Sequence, residues 1–229
     1  MEKSITKKFA GYIPSFISGI LAVSAFPPFD VYPVAWIAFV PFLLSLWKKN
    51  SKQSFMAGFV FGFTFFFGTL YWLYHSIHYY GGISFFISIV IVFVFCCYLS
   101  LYTAVFSCLF SFIVKKTKLP ALLTAPFLWV ALEFLRSYAL TGFPWSSIGY
   151  SQYKFLTIIQ FSDITGVYGI SFLIISVNSA IFDLLLLKKR INEMPLYPIS
   201  YTVVGCISLL VLLIFTFGYG TWRTEQNRP

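Results

Sequence analysis

The sequence predicts an all-α, polytopic integral membrane protein with about seven transmembrane helices, forming a single domain over residues 1–229. Three observations carry this. First, the chain is 59% hydrophobic and only 10% charged, against about 25% charged in an ordinary soluble domain, so too little polar surface exists to face water. Second, the apolar residues fall into seven runs, most near the length of about 20 residues that spans a bilayer. Third, the cations come in short clusters between alternate runs, the pattern of loops on one side of a membrane.

The predicted spans are 9–25, 31–47, 54–74, 83–114, 119–140, 166–187 and 199–219. The first follows a basic start, MEKSITKK. Its length and the Val23-Ser24-Ala25 sequence loosely resemble a secretory signal. An uncleaved first span is preferred, because six more runs continue its topology. Phe26-Pro27-Pro28-Phe29-Asp30 turns the chain into the second span. Lys48, Lys49 and Lys52 separate it from the third, which ends in Tyr71-Trp72-Leu73-Tyr74-His75. Gly81-Gly82 opens the fourth, which is long for one crossing. Lys115, Lys116 and Lys118 close it. The fifth leads into an unusual loop, with a semi-apolar piece at 155–161 suited to the interface. The sixth ends at Lys188-Lys189-Arg190, and the seventh precedes TWRTEQNRP. With the N-terminus in the cytoplasm, 12 of the 16 Lys and Arg fall on the inner side, so the C-terminus is expected outside, in the periplasm.

The net charge of +9 therefore reads as membrane topology. No nucleic-acid motif is present, and no nucleic-acid partner is expected. Cys96, Cys97, Cys108 and Cys206 all sit inside apolar runs, without a neighbouring cation that would make a thiolate, and read as packing residues. No metal or cofactor is expected. His75 and His78 are three apart, but no third ligand is evident. Gly58 and Gly62 form a small-xxx-small pair, read as close helix packing. Asn178 and Asp183 read as contacts between helices or, for Asp183, as a residue at the cytoplasmic end of the sixth span.

The stretch from Leu132 to Gln152, LEFLRSYALTGFPWSSIGYSQ, is different. Glu133 and Arg136 share a helical face inside an apolar run. Ionisable groups there are costly and are paired or line a cavity. Two readings stand side by side: an ion pair locking the fifth span to a neighbour, or a grip on a polar headgroup, for which a guanidinium suits phosphate. Gly142 and Pro144 then stop the helix, and Trp145 leads a polar-aromatic tail with Tyr150 and Gln152.

Four strings resemble the membrane half of bacterial apolipoprotein N-acyltransferases: AFPPFDVYPVAWIAFVPFLL (25–44), GFVFGFTFFFGTLYWLYHSIHYYGG (58–82), LWVALEFLRSYALTGFPWSSIGYSQ (128–152) and ITGVYGISFLIISVNSAI (164–181). The resemblance implies an inner-membrane enzyme that moves an acyl chain from a phospholipid to the diacylglyceryl cysteine of a lipoprotein. It implies a periplasmic nitrilase-like domain with a Glu-Lys-Cys triad that forms a thioester. No residue of this chain matches that triad, so the chain is expected to be a truncated or split form, inactive alone, with a separate nitrilase-like chain as a candidate partner. The expected alternative is a non-catalytic lipid-binding or scaffold protein. A small transporter is disfavoured, since no inverted repeat or pair of broken helices is visible. No catalytic residue is assigned. By the resemblance, the candidates for contact with the phospholipid or the lipoprotein lipid are Glu133, Arg136, Trp145, Tyr150, Gln152, Tyr71 and His75.

Overall fold

The computed structural model describes residues 11–47, 49–189 and 198–226, and all regular structure among them is helical. Each predicted span contains one principal helix. These are α1 (Ile13–Ser24), α2 (Tyr32–Leu46), α3 (Ser51–Leu70), α4 (Phe85–Thr117), α5 (Ala125–Arg136), α6 (Ser162–Lys189) and α7 (Ile199–Gln226). Residues 9 and 10 of the first predicted span lie outside the described residues. Among the described residues, four helices are long and apolar enough to cross a membrane: α3, α4, α6 and α7. The chain is a multi-pass membrane protein. α1 and α5 have only 12 residues each, or about 18 Å at 1.5 Å per residue.

The predicted fifth span, 119–140, is shortened at both ends. A separate turn, Ala121–Leu123, precedes α5, and the helix ends at Arg136, ahead of a segment in which Leu140, Thr141 and Gly142 all take positive φ. The third span stops at Leu70, and the chain continues through Leu73–His75 and Ser76–Tyr80. The fourth is a single helix of 33 residues.

α3 begins with a capping box: the Asn50 side chain accepts from the Gln53 N–H at 2.9 Å, and the Gln53 side chain accepts from the Asn50 N–H at 3.2 Å. This satisfies donors that the first turn leaves free. α3 packs against α4 more extensively than any other pair. Gly58 and Gly62 face Thr103 and Ser107, where any Cβ would collide with α4. The close approach lets Thr103 Oγ1 donate to the Gly58 carbonyl at 2.9 Å, and Ser54 meets Ser111 at 2.9 Å. Without a hydrophobic drive between helices in lipid, small residues and such bonds hold the pair.

α6 is the central post. Asn178 is fully buried and inserts its amide into α2: Oδ1 accepts from the Phe39 N–H and Nδ2 donates to the Ala35 carbonyl, both at 2.9 Å. It intercepts the bond that Phe39 would make four residues back. Asp183, also fully buried, accepts from the N–H groups of Ala121 and Leu122 at 3.1 and 2.9 Å. Both residues are contacts between elements, as expected. Between these helices lies an aromatic core in which Phe42 stacks on Phe61 at 4.3 Å and Trp129 meets Phe39 edge-on at 4.9 Å.

The charges segregate along the helices. Lys49 donates to the Gly11 carbonyl and Lys115 to the Lys49 carbonyl, so the α1 start and the ends of α2 and α4 converge. The ion pairs Lys154–Asp30 (2.8 Å) and Arg223–Asp163 (2.9 Å) lie at the other end. Lys3, Lys7, Lys8, Lys48, Arg190, Arg228 and the side chains of Lys188 and Lys189, which the topology argument also uses, lie outside the described residues.

Candidate functional site

The site is built where α5 runs out. Glu133 and Arg136 lie one turn apart on its buried face, 5% and 3% exposed. They do not bond to each other; both hold the loop that follows. One Glu133 oxygen, Oε1, accepts from the Ile148 N–H at 2.9 Å. Arg136 donates to the Trp145 carbonyl at 2.7 Å and to Ser147 Oγ at 3.1 Å, and its guanidinium lies 5.1 Å from the Phe66 ring. A planar fork that reaches two acceptors at once is what arginine supplies and lysine does not.

The loop is shaped for this grip. Gly142 has φ +82°, and a Cβ there would run into the Ser137 carbonyl, so both conformation and space require glycine. Ser146 also has positive φ. Ser147 Oγ donates to the Pro144 carbonyl at 3.1 Å, and the Gly149 N–H donates to Ser171 on α6 at 3.0 Å. Further along, Gln152 is fully buried. Its Oε1 accepts from Trp36 Nε1 and its Nε2 donates to the Tyr32 carbonyl, both at 3.0 Å. Tyr153 and Lys154 then clamp Asp30, at 2.7 and 2.8 Å. The Lys154 and Tyr153 hydrogen bonds hold the Asp30 carboxyl below its ordinary value. The same Asp30 contact raises both the Tyr153 hydroxyl and the Lys154 ammonium.

The fixed loop presents Trp145, which stacks on Trp72 with centroids 5.2 Å apart. Beside them opens a cavity of about 470 Å³, walled by Pro27 and Pro28, Tyr71 and Trp72, Trp145 and Tyr150. Its walls come from three of the four strings singled out in the sequence. Beneath it lies a small internal cavity of about 20 Å³ lined by Phe66, Tyr102, Trp129, Glu133 and Arg136, room for about one water. Ser146 lines both. The second Glu133 oxygen lies near the Trp129 indole N–H and Ser171 without a hydrogen bond of ordinary geometry to either.

Of the seven candidates, Tyr71, Trp145 and Tyr150 meet at the larger cavity. Glu133 and Arg136 lie under it, and Gln152 lies in the wall behind. His75 stands apart: its ring packs on Tyr79 at 4.3 Å, and His78 Nδ1 contacts the Ile83 carbonyl at 2.7 Å. No group of metal-ligating side chains occurs among the described residues. Sequence reasoning missed Trp72, although it sits beside Tyr71 in the same aromatic run, and it missed the Asp30 clamp. Nothing in the local sequence pairs Asp30 with residues 123 and 124 positions away.

Fold and site define a helical, multi-pass membrane protein with an aromatic cavity at one end and a buried acid and base beneath it. Residues 18–180 match the family model of the apolipoprotein N-acyltransferase N-terminal domain, and the chain belongs to that family. It is 38% identical over 215 residues to an apolipoprotein N-acyltransferase of Geobacter metallireducens, covering 93% of this chain and 40% of that protein. Relatives of the same name from Pasteurella multocida and Coxiella burnetii are 34% and 32% identical, over 98% and 94% of this chain and 41% and 42% of theirs. The family resemblance drawn from the four strings is borne out. The chain spans about two fifths of the length of these relatives.

Proposed function

We propose that this chain is the membrane-embedded part of an apolipoprotein N-acyltransferase of the bacterial inner membrane. It serves the transfer of an acyl chain from a phospholipid to the N-terminal diacylglyceryl cysteine of lipoproteins, together with a nitrilase-like domain. The observation that carries this reading is the aromatic cavity of about 470 Å³ between the Pro27-Pro28 turn, the Tyr71-Trp72 segment and the Trp145 loop. Tyr71, Trp145 and Tyr150 are roughly half exposed there and offer apolar faces with polar edges, the chemistry of a lipid glycerol region. In this reading those three contact lipid. Glu133, Arg136 and Gln152 are positioning residues that hold the loop, since the bonds just described engage them. The topology that goes with it has seven spans in one domain, the N-terminus in the cytoplasm and the C-terminus in the periplasm, which places the cavity at the outer leaflet. A reporter fused after Pro229 tests this; cytoplasmic activity of the reporter refutes the orientation.

The function is tested by acyl transfer to a diacylglyceryl peptide in phospholipid vesicles, with the chain joined to, or mixed with, a nitrilase-like domain from a relative. Transfer is expected in at least one arrangement, and Trp145→Ala is expected to lower it about tenfold or more, the loss of a large aromatic contact. Lipid binding without transfer in either arrangement refutes the enzyme reading and leaves a lipid-binding scaffold. Unchanged transfer by Trp145→Ala refutes the assignment of the cavity.

A further inference from the structure

A second recess lies toward the other end of the helices, where Ser54 of α3 meets Ser111, about 24 Å along α3 from Leu70 at the aromatic cavity. There the ends of α2 and α4 and a turn of α6 leave a gap. Leu46 and Trp47, Phe110 and Val114, and Phe182 wall a cavity of about 170 Å³, with Lys115 at its edge. The rings around it stand edge-on and apart: Trp47 to Phe182 at 6.3 Å and Phe110 to Phe182 at 6.4 Å. Leu46, Phe110, Val114 and Phe182 are all buried. An apolar recess of this size left unfilled deprives its walls of dispersion contacts, so an apolar occupant is favoured.

The rim is cationic. Lys115 donates to the Lys49 carbonyl, and Lys49 donates to the Gly11 carbonyl at 2.6 Å while its ammonium stands 4.5 Å over the Tyr12 ring. Neutral carbonyls and a ring face hold these ammonium groups without cancelling their charge. Each ammonium keeps further N–H donors. Both ion pairs seen among the described residues are at the opposite end. A cation at the edge of an apolar slot, Lys115, bonded to the backbone of a second lysine, Lys49, matches an amphiphile with an anionic head. Basic pockets between membrane helices bind such headgroups.

We propose that this recess binds an anionic phospholipid, a few methylenes of one acyl chain lying between α2, α4 and α6 and the phosphate resting on Lys115 and Lys49. The site is independent of the acyl-transfer reading and holds whichever side the lysine end faces.

The test is native mass spectrometry of the whole chain taken from micelles containing equal phosphatidylglycerol and phosphatidylethanolamine. The unaltered protein is expected to retain phosphatidylglycerol preferentially. The preference falls about fivefold for each of Lys115→Gln and Lys49→Gln, the worth of one cation near an anionic lipid. Val114→Phe, which fills the slot, is expected to abolish retention with both lysines in place. Phosphatidylglycerol carrying a photoreactive acyl chain needs no substitution, and should crosslink to Phe110 or Phe182. Equal retention of the two lipids, a preference that survives both lysine changes, or crosslinks confined to other surfaces each overturns the proposal.

Discussion

Replacing Arg136 with alanine removes more than a charge. It deletes the bonds to the Trp145 carbonyl (2.7 Å) and Ser147 (3.1 Å) and the contact with Phe66. It also leaves the Glu133 carboxylate, 5% exposed, without the nearby cation. Hydrogen bonds between membrane helices average about 0.6 kcal/mol and a desolvated cation–π contact about 2. Removing one member of a buried charged constellation costs about 3–5 kcal/mol, so a loss of about 3 kcal/mol is expected. At about 2–4 °C per kcal/mol for a chain of this size, Tm falls by roughly 6–12 °C. A thiol-reactive dye reads this unfolding, because Cys96 is a free cysteine with no exposed surface. Arg136→Lys keeps a charge but loses the fork, and should fall between alanine and the unaltered protein. Glu133→Gln keeps an acceptor for the Ile148 N–H and should cost less than Arg136→Ala. An alanine shift below about 2 °C, less than one ordinary hydrogen bond, would show that the loop does not depend on this grip.

Other substitutions probe other joints. Gly142→Ala places a Cβ against the Ser137 carbonyl at φ +82° and should cost about 1–3 kcal/mol in the same assay. Gly58→Leu is expected to force α3 from α4, with a loss of at least about 1–3 kcal/mol from overpacking, seen as reduced yield of folded protein. The Asp30 clamp makes a pH prediction. Its carboxyl is held below the ordinary value of 3.8, so its contribution is complete above that pH and is lost as pH falls through the lower, folded value. Stability measured from pH 7 to pH 3 should therefore drop less steeply in Asp30→Asn than in the unaltered protein.

Much of this architecture could be read from the chain because lipid is a demanding solvent. Long apolar runs such as 83–114 and 199–219 must be helices there, and both are. The ends of α3 and α5 were harder. Tyr71-Trp72 and Leu140-Thr141 carry no proline; the first pair keeps helical dihedrals where α3 ends, and the second takes a positive φ that such residues rarely adopt. The polar cluster around Glu133 stood out because charges in a span need a reason. Its partners did not: Arg136 reaches a backbone carbonyl and a serine, and neither has a signature that periodicity can reveal. Gln152 looked available for a ligand because its amide is polar, but Trp36 and Tyr32, more than a hundred positions away, occupy it.

The insertion of Asn178 into α2 also has a consequence in time. Phe39 and Asn178 are 139 positions apart, which at about 5–20 residues per second of synthesis is roughly 7–28 s. During that interval α2 exists without its partner, and the Phe39 N–H is free to close onto the Ala35 carbonyl. Pro41, which has no N–H to give to the Ile37 carbonyl, already weakens α2 at this point, and Asn178 is expected to complete the break when α6 arrives. α2 thus reaches its final form late, although it is among the first segments made, and variants at Asn178 should leave early insertion untouched while disturbing the last step of assembly.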